Sequence, residues 1–211
     1  MIMPPYGRKN NIRFLFKYLS SINNPYIVEI GMTRNLHKLS WKHDGYFTLI
    51  VSWYLHNYNK GKLISVDIDH QAIRNCKFLL NEYYIPTLKT QLICDDAFNI
   101  KKYINKKIDV LYLDAWDYTI SNPDYNLYID EKINSFSEKN HLEIFKVLEN
   151  DLNHYALVII DDVLDINDYT GKGKLLIPYL LDKGYRIIPQ TLKHDKSIAE
   201  RQIYQLILQK R

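Results

Sequence analysis

A chain of 211 residues, 46% hydrophobic and 25% charged, is long enough for one sizeable core and has the composition of a folded globular protein, which excludes a disordered chain. The formal net charge of +4, with lysines scattered among acids, does not indicate a nucleic-acid binder, and no apolar run approaches a membrane span. Cys76 and Cys94 lack metal-ligand spacing and read as reduced thiols; without a signal-like stretch in residues 1–25, a cytoplasmic protein with no membrane contact is expected.

Residues 11–22 carry Ile12, Phe14, Leu15, Phe16, Tyr18, Leu19 and Ile22 near the helical period, which predicts an amphipathic cover for a sheet, ended by Asn23-Asn24-Pro25. Tyr26 to Ile30 is β-branched and aromatic around one acid, Glu29, and predicts a buried first strand. Gly31 then lets the backbone turn tightly or approach a ligand. The loop 32–43 leads through Asp44-Gly45-Tyr46-Phe47-Thr48 to a helix over 49–58, whose Ile50, Trp53, Tyr54 and Tyr58 read as core.

A second strand, 63–66, follows at βαβ distance and ends in Asp67-Ile68-Asp69. The helix over 71–83 buries Ile73, Cys76, Phe78, Leu79 and Leu80. A third strand, 90–93, ends in Asp95-Asp96-Ala97-Phe98, and a fourth, 108–113, delivers Asp114-Ala115-Trp116-Asp117-Tyr118. The polar insert 119–136 reads as a lid or substrate loop. Ser135 and Glu138 form a capping-box pattern, predicting a helix from there to about 152 that buries Leu142, Phe145, Leu148 and Leu152. A fifth strand over 155–160 ends in Asp161-Asp162, and Gly171-Lys172-Gly173-Lys174 opens a helix closed by Gly184. Strands over 186–188 and 202–208 close the chain.

This order predicts a single α/β domain over 1–211: a Rossmann-like, doubly wound, mostly parallel seven-stranded sheet with helices on both faces, residues 1–25 forming an N-terminal helical cover. Strand after strand finishes in acid, with Glu29, Asp67, Asp96, Asp114 and Asp161 in turn. Ligands of open parallel sheets bind outside the carboxyl ends of the strands, so these acids converge on one crevice. A nicotinamide dehydrogenase fits less well, because its phosphate loop needs glycines that are missing here.

On these residues the chain resembles the class I S-adenosylmethionine-dependent methyltransferases, from about Tyr26 to the end. Val28-Glu29-Ile30-Gly31 resembles their first motif, which implies that Glu29 reaches the amino group of S-adenosyl-L-methionine. The loop from Gly31 through Thr33 and Arg34 would wrap its methionine part in place of the family's usual run of glycines. A subset of the family pairs such a single-glycine loop with an Asp-Gly-aromatic-Ser/Thr segment, which Asp44 to Thr48 fits. Asp67, with Ile68 beside it, resembles the residue that takes the ribose hydroxyls; Asp96 and Ala97 resemble the adenine site, and Asp114 the position beside the transferable methyl. A carboxylate can accept from two adjacent hydroxyls, and an acidic, aromatic-walled crevice suits a sulfonium cation. On this resemblance Gly31→Val is expected to abolish cofactor binding while the fold survives.

Asp114 with Asp161 and Asp162 resembles the acid set of the metal-dependent small-molecule O-methyltransferases, which implies Mg2+ or another divalent cation. In the alternative, Asp161 and Asp162 cap the next loop and bind nothing; the three acids would then repel, and at least one would take up a proton or find a basic partner. His141 is a candidate general base or a structural histidine, and Trp116 and Tyr118 wall the substrate site or seal the core. The resemblance implies methyl transfer to a hydroxyl oxygen of a small-molecule substrate. Alternatives are an N- or macromolecule methyltransferase and a catalytically silent cofactor-binding domain, and a homodimer is a candidate assembly.

Overall fold

The computed structural model describes residues 8–34, 36, 46–118, 130–189 and 204–210. They form a seven-stranded sheet in the order β3-β2-β1-β4-β5-β7-β6. Its strands are β1 (Tyr26–Ile30), β2 (Lys62–Asp67), β3 (Thr90–Cys94), β4 (Ile108–Leu113), β5 (Leu152–Val163), β6 (Tyr185–Ile187) and β7 (Tyr204–Lys210). The pairs β1–β2, β2–β3, β1–β4 and β4–β5 are parallel, and β7 runs antiparallel between β5 and β6. Residues 202 and 203 of the predicted last strand lie outside the described residues.

The central strands β1 and β4 are buried at every position, as a sheet covered on both faces requires. Ile27, Leu63, Val110 and Leu157 pack against α1 (Lys9–Ser20), α2 (Phe47–Asn57) and α3 (His70–Glu82). Val28, Ile30, Leu111 and Val158 point the other way, toward α4 (Glu131–Leu148) and α5 (Leu176–Asp182). The C-terminus of α1 is held by Lys60, whose Nζ donates to the carbonyls of Leu19 and Ile22, both at 2.9 Å. A cation there satisfies carbonyls that have no partner within the helix.

Several expectations need correction, beginning with Tyr58 and Phe78, which were read as core and are exposed. The α4 helix begins at Glu131, because Asp130 accepts from the backbone N–H groups of Lys132 and Ile133 and caps it; Ser135 and Glu138 therefore lie inside the helix, and residues 131–136 of the expected insert belong to it. Residues 119–129 of that insert, and Asp44 and Gly45 of the glycine-aromatic segment, lie outside the described residues. Residues 171–175 form turns ahead of α5 rather than its first turn. Lastly, β5 runs on through Asp161 and Asp162 to Val163, with a register shift against β7 between Ile160 and Val163 and a positive φ of 50° at Asp162.

Candidate active site

The strand order reverses between β1 and β4, and the carboxyl ends there open onto a cavity of about 740 Å3. Gly31, Arg34, Asp67, Ile68, Asp96 and Ala97 line it, as expected from sequence. Ala115, Trp116 and Asp117 supply the β4 side. Ile133, Phe136 and Asn140, spaced along one face of α4, close it, and Phe98 stands across the floor. Ile133, Phe136 and Asn140 were missed in the sequence, where their i, i+3, i+7 spacing on α4 was the available signal; Phe98 was named at the end of the third strand without a site role.

Asp67 is held from behind: its Oδ2 accepts from Met32 N–H at 2.8 Å and its Oδ1 from Asp69 N–H at 2.9 Å. Each oxygen keeps a lone pair for a ligand donor. Ile68 is 72% exposed and Phe98 39%, so apolar surface lies bare beside the acids. Asp96 caps the short helical turn Ala97–Lys102 by accepting from Phe98 N–H at 2.9 Å. Asn140 Nδ2 is buried without a hydrogen-bond partner, a donor in the cavity wall that nothing among the described residues satisfies. Arg34 forms an ion pair with Asp117 across the cavity, between the loops after β1 and β4.

Gly31 has a φ of +93°, and a Cβ there would stand 2.6 Å from Ala115 N and 2.6 Å from Asp114 C. Its freedom is therefore needed by the backbone of the β4 loop. Gly31→Val should strike the fold as well as the cavity, contrary to the expectation above.

Two assigned cofactor residues, Glu29 and Asp114, do not line the cavity. Glu29 points to the α2 face, where its Oε2 accepts from Thr48 Oγ1 at 2.6 Å and Ser65 Oγ at 2.5 Å. Burial pushes its carboxyl up to about 8, against the pull of those hydroxyls, which favours the protonated form at neutral pH. His141 is also away from the cavity, 0% exposed, with Nδ1 donating to the Ser137 carbonyl at 2.8 Å and its ring edge-on to Trp116. Burial and then the Lys172 ammonium push it down to about 3, which leaves a neutral and weakly basic imidazole.

Asp114, Asp161 and Asp162 come to the same edge of the sheet, but the chain supplies their counterions. Alternation along β5 sends its two acids to opposite faces. Asp161 meets Arg8 at the start of α1, 2.8 Å away, and also accepts from Tyr112 OH. Asp162 and Asp114 share Lys172, whose Nζ lies 2.9 Å and 2.6 Å from them. Burial drives the Asp114 carboxyl up and Lys172 pulls it partly back, leaving it at about 7. Burial also raises Asp162, but Lys172 and Arg8 outweigh it and hold that carboxyl below its ordinary value. Among the described residues no group of His, Cys, Asp and Glu is arranged to hold a metal ion. The residues present therefore do not fit the divalent cation that the sequence suggested, and they match instead the case in which the acids find basic partners.

A second cavity, of about 860 Å3, adjoins the first through the shared walls Lys132 and Phe136. Tyr118, Glu138, Lys139 and Lys174 line it, with Tyr118 OH donating to Glu138 at 3.1 Å.

The architecture is the class I methyltransferase fold: a mostly parallel seven-stranded sheet with an antiparallel β7, open at the ends of β1 to β4. Solved structures carry the likeness along nearly the whole chain. A proposed rRNA methylase from Clostridium thermocellum matches with a TM-score of 0.61 at 13% identity, over 96% of this chain and 98% of that one. A proposed methyltransferase from Streptococcus mutans, solved in complex with SAH, matches at 0.54 and 16% over 100% of both chains. A proposed caffeoyl-CoA O-methyltransferase from Staphylococcus aureus matches at 0.55 and 14%, over 94% and 82%. No protein-family model and no curated protein matches the sequence. No helix among the described residues is long and apolar enough to cross a membrane.

Proposed function

We propose that the chain is an S-adenosylmethionine-dependent methyltransferase that acts on a hydroxyl oxygen of a small molecule. The observation that carries this is Asp67, held by two backbone amides at the edge of the cavity with bare Ile68 next to it. Such a pair offers acceptors for the ribose hydroxyls and an apolar face for a base ring. Asp96 and Ala97 would line the adenine end, and Gly31, Arg34 and Ala115 the methionine end. When bound, the cofactor supplies a methyl group on a sulfonium cation. The second cavity has the volume of a small-molecule site and shares a wall with the first, which suits an acceptor. Asp114 lines neither cavity but directly precedes the cavity-lining Ala115, with its side chain 23% exposed and its carboxyl raised to about 7, and would accept the hydroxyl proton.

RNA is the second reading, favoured by Lys132, Lys139 and Lys174 around the second cavity. Incubation with methyl-labelled cofactor against a metabolite mixture and against total RNA separates the two by the fraction that carries label. Label in neither pool, with the cofactor bound, would point to a silent binding domain.

A further inference from the structure

The acid cluster at the ends of β4 and β5 has the charge of a metal site, yet a lysine fills it. Lys172 is only 4% exposed. Its Nζ has three acceptors, Asp114 Oδ1 at 2.6 Å, Asp162 Oδ2 at 2.9 Å and the Asp114 carbonyl at 3.3 Å. An ammonium has three N–H donors, so each has a partner.

The backbone fixes where that ammonium stands. Lys172 N–H donates to the Asp162 carbonyl at 3.1 Å, and Gly171 bridges to Val163. Gly171 has a φ of +108°, and a Cβ there would lie 2.2 Å from the Asp162 carbonyl oxygen, so only glycine lets the chain pass so close to β5. The bulge at Asp162 and the turn at Gly171 thus deliver the lysine from one side and the carboxylate from the other. Arg8 neutralises Asp161 on the opposite face. A divalent ion at this place would have to displace an ammonium whose donors are all satisfied, or meet it as a like charge.

We propose that the Lys172 ammonium is the resident cation of this cluster in place of a divalent ion, and that it positions Asp114 for the methyl acceptor. The second half deepens the methyltransferase reading and rests on it; the first half stands by itself. In this role Lys172 is a positioning residue: it fixes one oxygen of Asp114 and leaves the other, Oδ2, with only a long contact of 3.5 Å to Tyr112 OH among the described residues.

The test is Mn2+ titration followed by electron paramagnetic resonance, on the wild-type chain, Lys172→Ala, Lys172→Arg and the double variant Lys172→Ala with Asp162→Asn. S-adenosylmethionine affinity is measured on the same samples by calorimetry. The wild type and Lys172→Arg are expected to leave Mn2+ free at millimolar concentration. Lys172→Ala should take up one Mn2+ per chain, and the double variant should lose it. Methyl transfer by wild type should be unchanged by exhaustive chelation, while Lys172→Ala should fall on the order of 100-fold and recover with Mn2+, which a purely structural lysine would not allow. Stoichiometric Mn2+ binding by the wild type, or its loss of activity on chelation, would overturn the proposal. So would a folded Lys172→Ala chain that binds no Mn2+. If that variant does not fold, the wild-type titration and chelation decide alone. A wild type that binds no S-adenosylmethionine would defeat the methyltransferase reading instead, and the Mn2+ titration would still decide the identity of the cation.

Discussion

Acids delivered by β2 and β3 and acids delivered by β4 and β5 reach the same edge of the sheet, yet they meet different company. Asp67 and Asp96 are braced by backbone N–H groups and face an open cavity, with exposed Ile68 and Phe98 beside them. Asp114, Asp161 and Asp162 are met by Lys172 and Arg8 from the chain itself. An acid met by a buried cation has at most one oxygen to spare, as Asp114 has, whereas Asp67, braced by backbone amides, keeps a lone pair on each oxygen. Glu29 is a third case, buried among hydroxyls with its neutral form favoured. Residue type and strand-end position do not separate the three cases; the partner does.

The ionic half breaks hardest. Lys172→Met leaves Asp114 and Asp162 without their cation and should cost about 3–5 kcal/mol in denaturant unfolding, the range for stripping one partner from a buried pair. Lys172→Arg should recover much of it. Loss below 1 kcal/mol would mean that these acids do not depend on the lysine.

Gly31 joins the two halves, since its Cα faces the Asp114–Ala115 backbone. Gly31→Ala should cost on the order of 2–4 kcal/mol, from the positive φ together with contacts that only a backbone shift can relieve. Equal thermal stability of variant and wild type would show that the β1 and β4 loops separate easily.

The effect of Glu29 is read in its pH dependence. Its carboxyl is at about 8 in the folded chain against 4.5 as the ordinary value. The folded state therefore holds a proton that the unfolded state has released, so this contribution is full below about 4.5 and declines as pH rises through 8. Melting across pH 6 to 9 should show wild-type stability falling by up to about 1.4 kcal/mol per unit, and Glu29→Gln should flatten that slope. An unchanged slope in the variant would mean that Glu29 is ionised in its pocket.

Much of the frame was legible in the sequence because doubly buried strands are mostly apolar, so β1 and β4 stand out as apolar runs, each holding a single acid (Glu29, Asp109), with glycine or acid at their ends. Asp67, Ile68, Asp96 and Ala97 were legible for the same reason: the strand end marks the crevice. The counterions were not, since Arg8 and Asp161 are 153 positions apart and Lys172 and Asp114 are 58. No local pattern encodes such pairs. The signal for Lys172 was present as a lysine between two glycines shortly after the acid pair, but it was read as a helix opening. The α4 start was misplaced because Ser135 and Glu138 have a capping pattern that the earlier Asp130 outcompetes.

The central claim, that the amide-braced acids await a ligand, is tested most directly by calorimetric titration of S-adenosylmethionine into the wild type and Asp67→Ala, with thermal unfolding of both. One site per chain is expected in the wild type, weakened on the order of 1.5–3 kcal/mol in the variant by loss of the charged acceptor. Unchanged affinity in a folded Asp67→Ala chain, or no binding by the wild type, would contradict it.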